Sequence, residues 1–383
     1  MPRKVSTIRG IVLAACAAAL VAACTPAMPP DVLAAIAEDQ IVCQQGAQDV
    51  SVPESFVGSM DLVNSALTGV CPDQTLVEVP SDAAAGIKLI DHAPTAADLS
   101  DFAQQCPSGT ISVPVFGYGV VVSYNVVGLD GLILTPDAIA GILNGSITAW
   151  DDPMLADANA DYDLTGLPPI SVISIDSPQG AVEAMTTWLT KEAPSAWTQG
   201  VTGTIATGTQ VPTLTDLIGE LTAAEGTLAV LPAVQAISNA VPIASARVQE
   251  EIISADDTQL LKVGVAATTV TTDASGNMSA SPAIGGVPVE GNFNLAASKI
   301  VLAEGQPLIG WPVLGMAHLL ICDDPANPLP LSSAQYLLRL AGQGSLETFG
   351  VTPLPEPIRV QTFKPLKVQV AGGTMPAASA SAE

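Results

Sequence analysis

Chemistry in this chain of 383 residues could begin at its six cysteines and two histidines. His92 and His318 are far apart in sequence and no CxxC pair accompanies them, so no zinc site is expected. The sequence has no Ser-His-Asp spacing, no GxSxG elbow and no P-loop, and an acid-base pair of Asp91 with Asp176 has only the presence of two carboxylates behind it. The expectation is therefore a protein that is not an enzyme and holds no cofactor and no metal. The cysteines point instead to covalent anchoring and stapling. Arg3, Lys4 and Arg9 precede an apolar run from Ile11 to Val21, which is shorter than the about 20 residues of a spanning helix. Val21-Ala22-Ala23-Cys24 then fits the pattern cleaved by lipoprotein signal peptidase, with small residues before a lipid-bearing cysteine. Cleavage at Leu13-Ala14-Ala15-Cys16 would leave a very short apolar region, so Cys24 is the expected lipidation site after a leader of 1–24. No later uninterrupted apolar segment reaches 18 residues, so the lipid is the expected contact with the membrane. Cys43, Cys71, Cys106 and Cys322 remain, an even number in an exported chain, and two disulfides are expected.

Charge narrows the partners. The chain carries 37 acidic and 12 basic residues, a net charge of -25. Three of the bases lie in the leader, so the rest has nine bases against those 37 acids. Such a surface repels nucleic acid and anionic membranes. Between residues 25 and 190 the single basic residue is Lys88, which limits the ways an anion could be held there.

The elements that must position these residues alternate between two periods. Residues 25–40 read as a tether and 371–383 as a disordered tail. Ser51-Val52-Pro53-Glu54 has a capping-box shape, and Phe56, Met60, Val63 and Leu67 follow at helical spacing, predicting a helix over 53–68. Thr95 with Asp98 starts a second helix, up to Gln105. Ile111 to Tyr124, rich in Val, reads as a long buried strand bent at Gly117 and Gly119. Thr135-Pro136-Asp137 opens a helix closed by Asn144-Gly145, Ile170 to Ile175 is a strand, and Asp176-Ser177-Pro178 opens a further helix. Later strands are expected at Leu228 to Leu231 and Ile309 to Leu320, and a helix over Ser332 to Ala341. The alternation predicts an α/β protein with parallel strands.

The run from Ser112 to Asn125, through Thr135-Pro136-Asp137, to Gly145-Ser146-Ile147-Thr148-Ala149-Trp150-Asp151-Asp152-Pro153 resembles the phosphate-binding proteins of phosphate ABC importers, the PstS family. Asp91-His92-Ala93-Pro94, Gly310-Trp311-Pro312 and Gly350-Val351-Thr352-Pro353-Leu354-Pro355 resemble further motifs of that family in the same order. The resemblance implies an α/β, two-lobed type II periplasmic-binding-protein fold with two crossover strands. Lobe one would comprise 41–117 and 308–370, and lobe two 118–307. It also implies disulfides Cys43–Cys71 and Cys106–Cys322, both within lobe one. The partners it implies are a small anion or other small solute and the membrane subunits of an ABC importer, for a monomeric protein.

The ligand positions implied by the family fall on Ser55, His92, Asp176, Ser177 and Gly180. The family's glycines near Ser55 are replaced by Pro53 and Glu54, and its Arg is missing from Ser174-Ile175-Asp176-Ser177-Pro178-Gln179-Gly180. A guanidinium offers a bidentate charged fork that neutral groups do not replace. An oxyanion would then rest on backbone N–H groups around 177–181 and the hydroxyls of Ser55 and Ser177, with His92 adding charge near its ordinary pKa of about 6.5 and Lys88 within possible reach. Two other readings stay open: a receptor for a different small solute, or a surface protein with a decayed cleft that acts through protein contacts.

Overall fold

The structure, a computed structural model, describes residues 40–248, 250–298, 300 and 308–368, together with Val32, Ala35, Ile36 and Glu38. The expected leader with Cys24, most of the tether and the tail lie outside the described residues. The organising element is one strand. β4 (Thr110–Asn125) has 16 residues, all buried except its two ends, as its near-continuous apolar sequence requires. Its first part pairs antiparallel with β13 (Leu314–Cys322), and its last part, from Val120, pairs antiparallel with β8 (Thr227–Pro232).

From this spine a nine-stranded sheet extends both ways. On one side, beyond β13, lie β3 (Ile87–Ile90), β1 (Gly46–Val52) and β2 (Gln74–Pro80). On the other, beyond β8, lie β6 (Ser171–Ile175) and β7 (Thr209–Val211), while β14 (Thr352–Pro353) adds to β4. β5 (Ile133–Leu134), β9 (Ser245–Val248) and β10 (Glu251–Ile253) form a small separate sheet, and β11 (Thr268–Thr272) with β12 (Met278–Pro282) a hairpin. Helices cover the layers: α1 (Ser59–Val70), α2 (Ala96–Ala103), α3 (Pro136–Leu143), α4 (Pro153–Ala156), α5 (Gly180–Glu192), α6 (Leu214–Ala223), α7 (Ala233–Ser238), α8 (Thr258–Val265), α9 (Leu295–Ser298), α10 (Leu329–Leu337), α11 (Leu340–Phe349) and α12 (Glu356–Gln361). The fold is the α/β, two-lobed architecture expected.

Several boundaries differ from the sequence reading, each for a local reason. The helix expected from residue 53 begins at Ser59: Glu54–Phe56 is a short 3-10 turn, and Gly58 adopts φ 92°, a left-handed conformation that breaks the helix. Gly117 and Gly119 lie where β4 passes from one partner strand to the other. They make room for α8, since a Cβ at Gly117 would lie 2.4 Å from Val265 and one at Gly119 2.7 Å from Leu261. The strand expected from Ile309 starts at Leu314; before it, Pro312 has no N–H, the Trp311 N–H donates to the Leu260 carbonyl, and Val120 N–H donates to the Val313 carbonyl. The helix expected over 332–341 is two, α10 and α11, separated at Arg339 in extended conformation.

Both disulfides are present, Cys43–Cys71 with Cα atoms 5.4 Å apart and Cys106–Cys322 with Cα atoms 5.1 Å apart. Glu38, within the expected tether, is held to the folded body. Its carboxylate pairs with Arg359 at 2.6 Å and accepts the Leu340 N–H, and its carbonyl accepts from Arg339. Arg359 is 1% exposed and also pairs with Glu356. A buried guanidinium needs such partners, which is why this part of the segment is docked.

Candidate functional site

Strand direction fixes where loops gather. β3 and β1 run toward the middle of β4 from one side, and β6, β7 and β8 run toward it from the other, so that Pro232 at the end of β8 pairs with Val120. The segments after five strand ends therefore face one another near Gly119. In α/β sheets that crevice at the carboxyl ends of strands is where ligands bind.

Each facing segment brings a carboxylate or a helix N-terminus. After β3 comes Asp91, whose Oδ2 accepts the Gly180 N–H at 2.9 Å, at the start of α5 on the opposite side. The approach is close because residue 180 is glycine: a Cβ there would sit 2.3 Å from the Asp91 carbonyl oxygen. That carbonyl also accepts the buried Tyr118 hydroxyl at 2.5 Å. Burial first, then the negative charges of Asp91 and Glu183, keeps the Tyr118 phenol protonated well above its ordinary range. After β1 comes Glu54, whose Oε2 accepts the Leu214 N–H at 2.8 Å, at the start of α6. The neighbouring Ser55 carbonyl accepts from Gln235 Nε2 at 2.7 Å. Glu78 treats the start of α1 likewise, accepting the N–H groups of Gly58 and Met60 at 2.7 and 2.8 Å. Carboxylates complete the positive ends of three helices, as the helix dipole favours.

His92 is enclosed by acids. Its Nδ1 lies 3.0 Å from Asp91 Oδ1 and its Nε2 3.2 Å from Asp98 Oδ2. Both neighbours are carboxylates, so a ring protonated on both nitrogens offers each of them an N–H. The hydrogen bond to Asp91, opposed by burial and reinforced by the charges of Asp91 and Asp98, raises the His92 pKa to about 9. Burial resists ionisation of Asp98, but the Thr95 hydroxyl and N–H and the His92 charge hold its carboxyl below the ordinary value. Thr95 and Asp98 form the capping box of α2 that the sequence predicts. Behind His92 lies His318, fully buried, whose Nε2 accepts the Ala280 N–H at 2.9 Å and whose Nδ1 faces the His92 carbonyl at 2.9 Å. The proton therefore sits on Nδ1. Burial, only partly offset by the Met316 and His92 carbonyls, lowers the His318 pKa to about 4.

The five residues singled out from sequence separate into distinct environments. Ser55 is 6% exposed and lines a cavity of about 20 Å³ with Ser174, Gln179 and Leu214. His92 and Gly180 line another, of about 130 Å³, with Asp91, Glu183, Trp188 and Met316. Asp176 and Ser177 are exposed and line neither, since α5 begins at Gly180 and not at residue 177. Ser177 accepts from Gln179 Nε2 on its carbonyl and hydroxyl. His92, expected to offer a free donor with an ordinary pKa, has both ring nitrogens engaged. Lys88 lies within β3 and lines neither cavity. Asp91, Glu54 and Gln235 are the contacts that the sequence reading did not assign. Glu54 and Asp91 were legible as acids beside the expected site, but what they touch depends on segments more than 80 residues away. Among the described residues no helix is long and apolar enough to cross a membrane, and no group of three or more His, Cys, Asp or Glu could hold a metal ion.

Comparison with known proteins agrees with this architecture. Residues 17–306 match the family described as a PBP superfamily domain. The phosphate-binding protein PstS 3 of Mycobacterium leprae is 28% identical over 148 residues, 36% of this chain and 40% of that protein. The phosphate-binding protein PstS 2 of Mycobacterium tuberculosis is 31% identical over 109 residues, 28% of this chain and 29% of that protein. The matched regions thus span well under half the length of these relatives. Among solved structures, a high-affinity periplasmic phosphate-binding protein bound with phosphate aligns with a TM-score of 0.58 at 15% identity, covering 83% of this chain and 93% of that one. A phosphate-binding protein from Stenotrophomonas maltophilia aligns with a TM-score of 0.52 at 15% identity, covering 82% and 92%. With a family match over most of its length and PstS-type proteins among its sequence relatives, the chain belongs to the PBP superfamily.

Proposed function

We propose that this chain is the solute-binding subunit of an ABC importer, holding phosphate or a related oxyanion between two lobes and performing no catalysis. Lobe one would comprise 41–117 with 308–370 and lobe two 118–307, so that β4 crosses between them. The observation that carries the reading is the convergence of five strand ends, with the N-termini of α5 and α6, on one crevice at the middle of β4. Helix N-termini bind oxyanions through N–H groups and the dipole, without any cationic side chain. The phosphate-binding relatives point to the same cargo. The candidate donors are the first N–H groups of α5 and the Ser55 hydroxyl. We also place the protein outside the membrane on a lipid at Cys24, from the leader pattern in its sequence. Release of a Cys24→Ala variant from membranes is the expected result; unchanged membrane association would refute the anchor.

Neither crevice cavity is lined by Lys or Arg. A receptor lacking that charged fork loses roughly 1.5–3 kcal/mol of anion affinity. Calorimetric titration with phosphate and sulfate should therefore give measurable but modest binding. A second reading, a solute that is not an anion, is favoured by the carboxylates of Asp91 and Glu54 on the two helix ends. Heat from a panel of neutral or cationic metabolites, with none from either oxyanion, would replace the first reading by the second.

A further inference from the structure

The two helix N-termini that face the crevice from the β6 side are already occupied, and by carboxylates from the other side. Asp91 accepts the first N–H of α5 at 2.9 Å, and Glu54 accepts the first N–H of α6 at 2.8 Å. A third bond, Gln235 Nε2 to the Ser55 carbonyl at 2.7 Å, also crosses the crevice. Each carboxylate presents to its helix what an oxyanion would present: negative oxygen against a positive dipole end.

The loop that carries Asp91 is built to stay there. Its backbone is tied by the Tyr118 hydroxyl, which rises from the middle of β4. Its second carboxylate oxygen meets His92, which is fixed in turn by Asp98 at the start of α2. Gly180 leaves the space that the Asp91 carbonyl fills, so the contact needs glycine on one side and aspartate on the other. Glu54 follows Pro53, whose ring fixes the backbone at φ −61° as the chain leaves β1.

We infer that the crevice is latched shut by the protein's own carboxylates, Asp91 on α5 and Glu54 on α6, and that an oxyanion reaches α5 only by displacing Asp91. The latch would hold with no solute bound and is independent of the cargo's identity. Resting on the proposed oxyanion cargo, it also makes Asp91 a determinant of specificity, since Asp91 covers a helix end whose N–H groups would receive the anion.

Small-angle scattering and amide hydrogen exchange on the purified protein, dialysed free of small anions, test this. The wild type should be as compact without phosphate as with it, and the Gly180 and Leu214 amides should be protected in both. An Asp91→Ala, Glu54→Ala double variant should expand, and those two amides should exchange about ten- to a hundredfold faster, the range expected for losing a charged hydrogen bond. Far-UV circular dichroism checks that the variant is folded. The wild-type arm decides without it: a ligand-free wild type that is expanded and contracts on adding phosphate overturns the latch. A folded variant as compact and protected as the wild type overturns it too. In a phosphate titration, Asp91→Ala alone should bind about tenfold more tightly than the wild type; equal or weaker binding would show that Asp91 does not occupy the anion's seat. If neither protein binds phosphate yet the double variant opens, the cargo reading fails and the latch stands.

Discussion

A proton on His92 has two carboxylates to satisfy, whereas a second proton on His318 would meet the Ala280 N–H. The two rings are linked through the His92 carbonyl, yet they respond to pH in opposite senses. His92 has a folded pKa of about 9 against an ordinary 6.5, so its contribution to stability is complete below pH 6.5 and is lost as pH rises to about 9. That contribution is on the order of 2 kcal/mol, allowing for a side chain that is partly exposed. His318 has a folded pKa of about 4, so the unfolded chain takes up a proton that the folded one refuses between pH 6.5 and 4. Stability should fall across that interval by an amount on the order of 3 kcal/mol. Urea midpoints measured across pH should show both limbs, with His318→Gln flattening the acid limb and His92→Gln the alkaline one. Limbs that keep their slopes in these variants would remove the two histidines from the account. The sequence placed His92 at the expected site but assigned it an ordinary pKa, because neither Asp98's orientation nor the burial of His318 can be read from spacing along the chain.

Elements were legible where local signals set them and obscure where distant segments do. The capping box of α2 and the threonine and proline that open α3 act within four residues, and both helices begin where the sequence predicts. The start of α5 was misplaced because a carboxylate 89 residues away completes its first turn. Gly180→Ala tests that dependence: its methyl would collide with the Asp91 backbone, and a forced shift of this kind costs about 1–3 kcal/mol. Thermal unfolding should report that loss, together with faster exchange at residue 180. An unchanged stability would mean that α5 and the Asp91 loop are not held in contact. The docked segment at Glu38 makes a comparable prediction. Glu38→Ala leaves Arg359 with Glu356 as its one carboxylate partner beside the Leu338 carbonyl, and should destabilise the protein by about 1.5–3 kcal/mol. No measurable loss would return this segment to the role of a free tether.

On the scale of the whole molecule, the α/β class and the order of elements follow from alternating periods in the sequence, but the pairing of β13 with both β3 and β4 joins residues separated by about 200 positions and had no local signature. The Cys106–Cys322 disulfide closes a loop of similar length, with a sequence separation of 216. Replacing that pair should cost about 5.4 kcal/mol on the chain-entropy estimate, and replacing the Cys43–Cys71 pair about 3.6 kcal/mol. Equal melting shifts for the two would count against an entropic origin. β4 carries a further consequence. Because residues 110–119 of this strand run in one half of the sheet and its last six pair in the other, neither half owns a complete set of strands. Melting either one would strip partners from the other, so heat should unfold this protein in a single cooperative transition, with calorimetric and van't Hoff enthalpies in agreement, where a chain of two autonomous domains would show two.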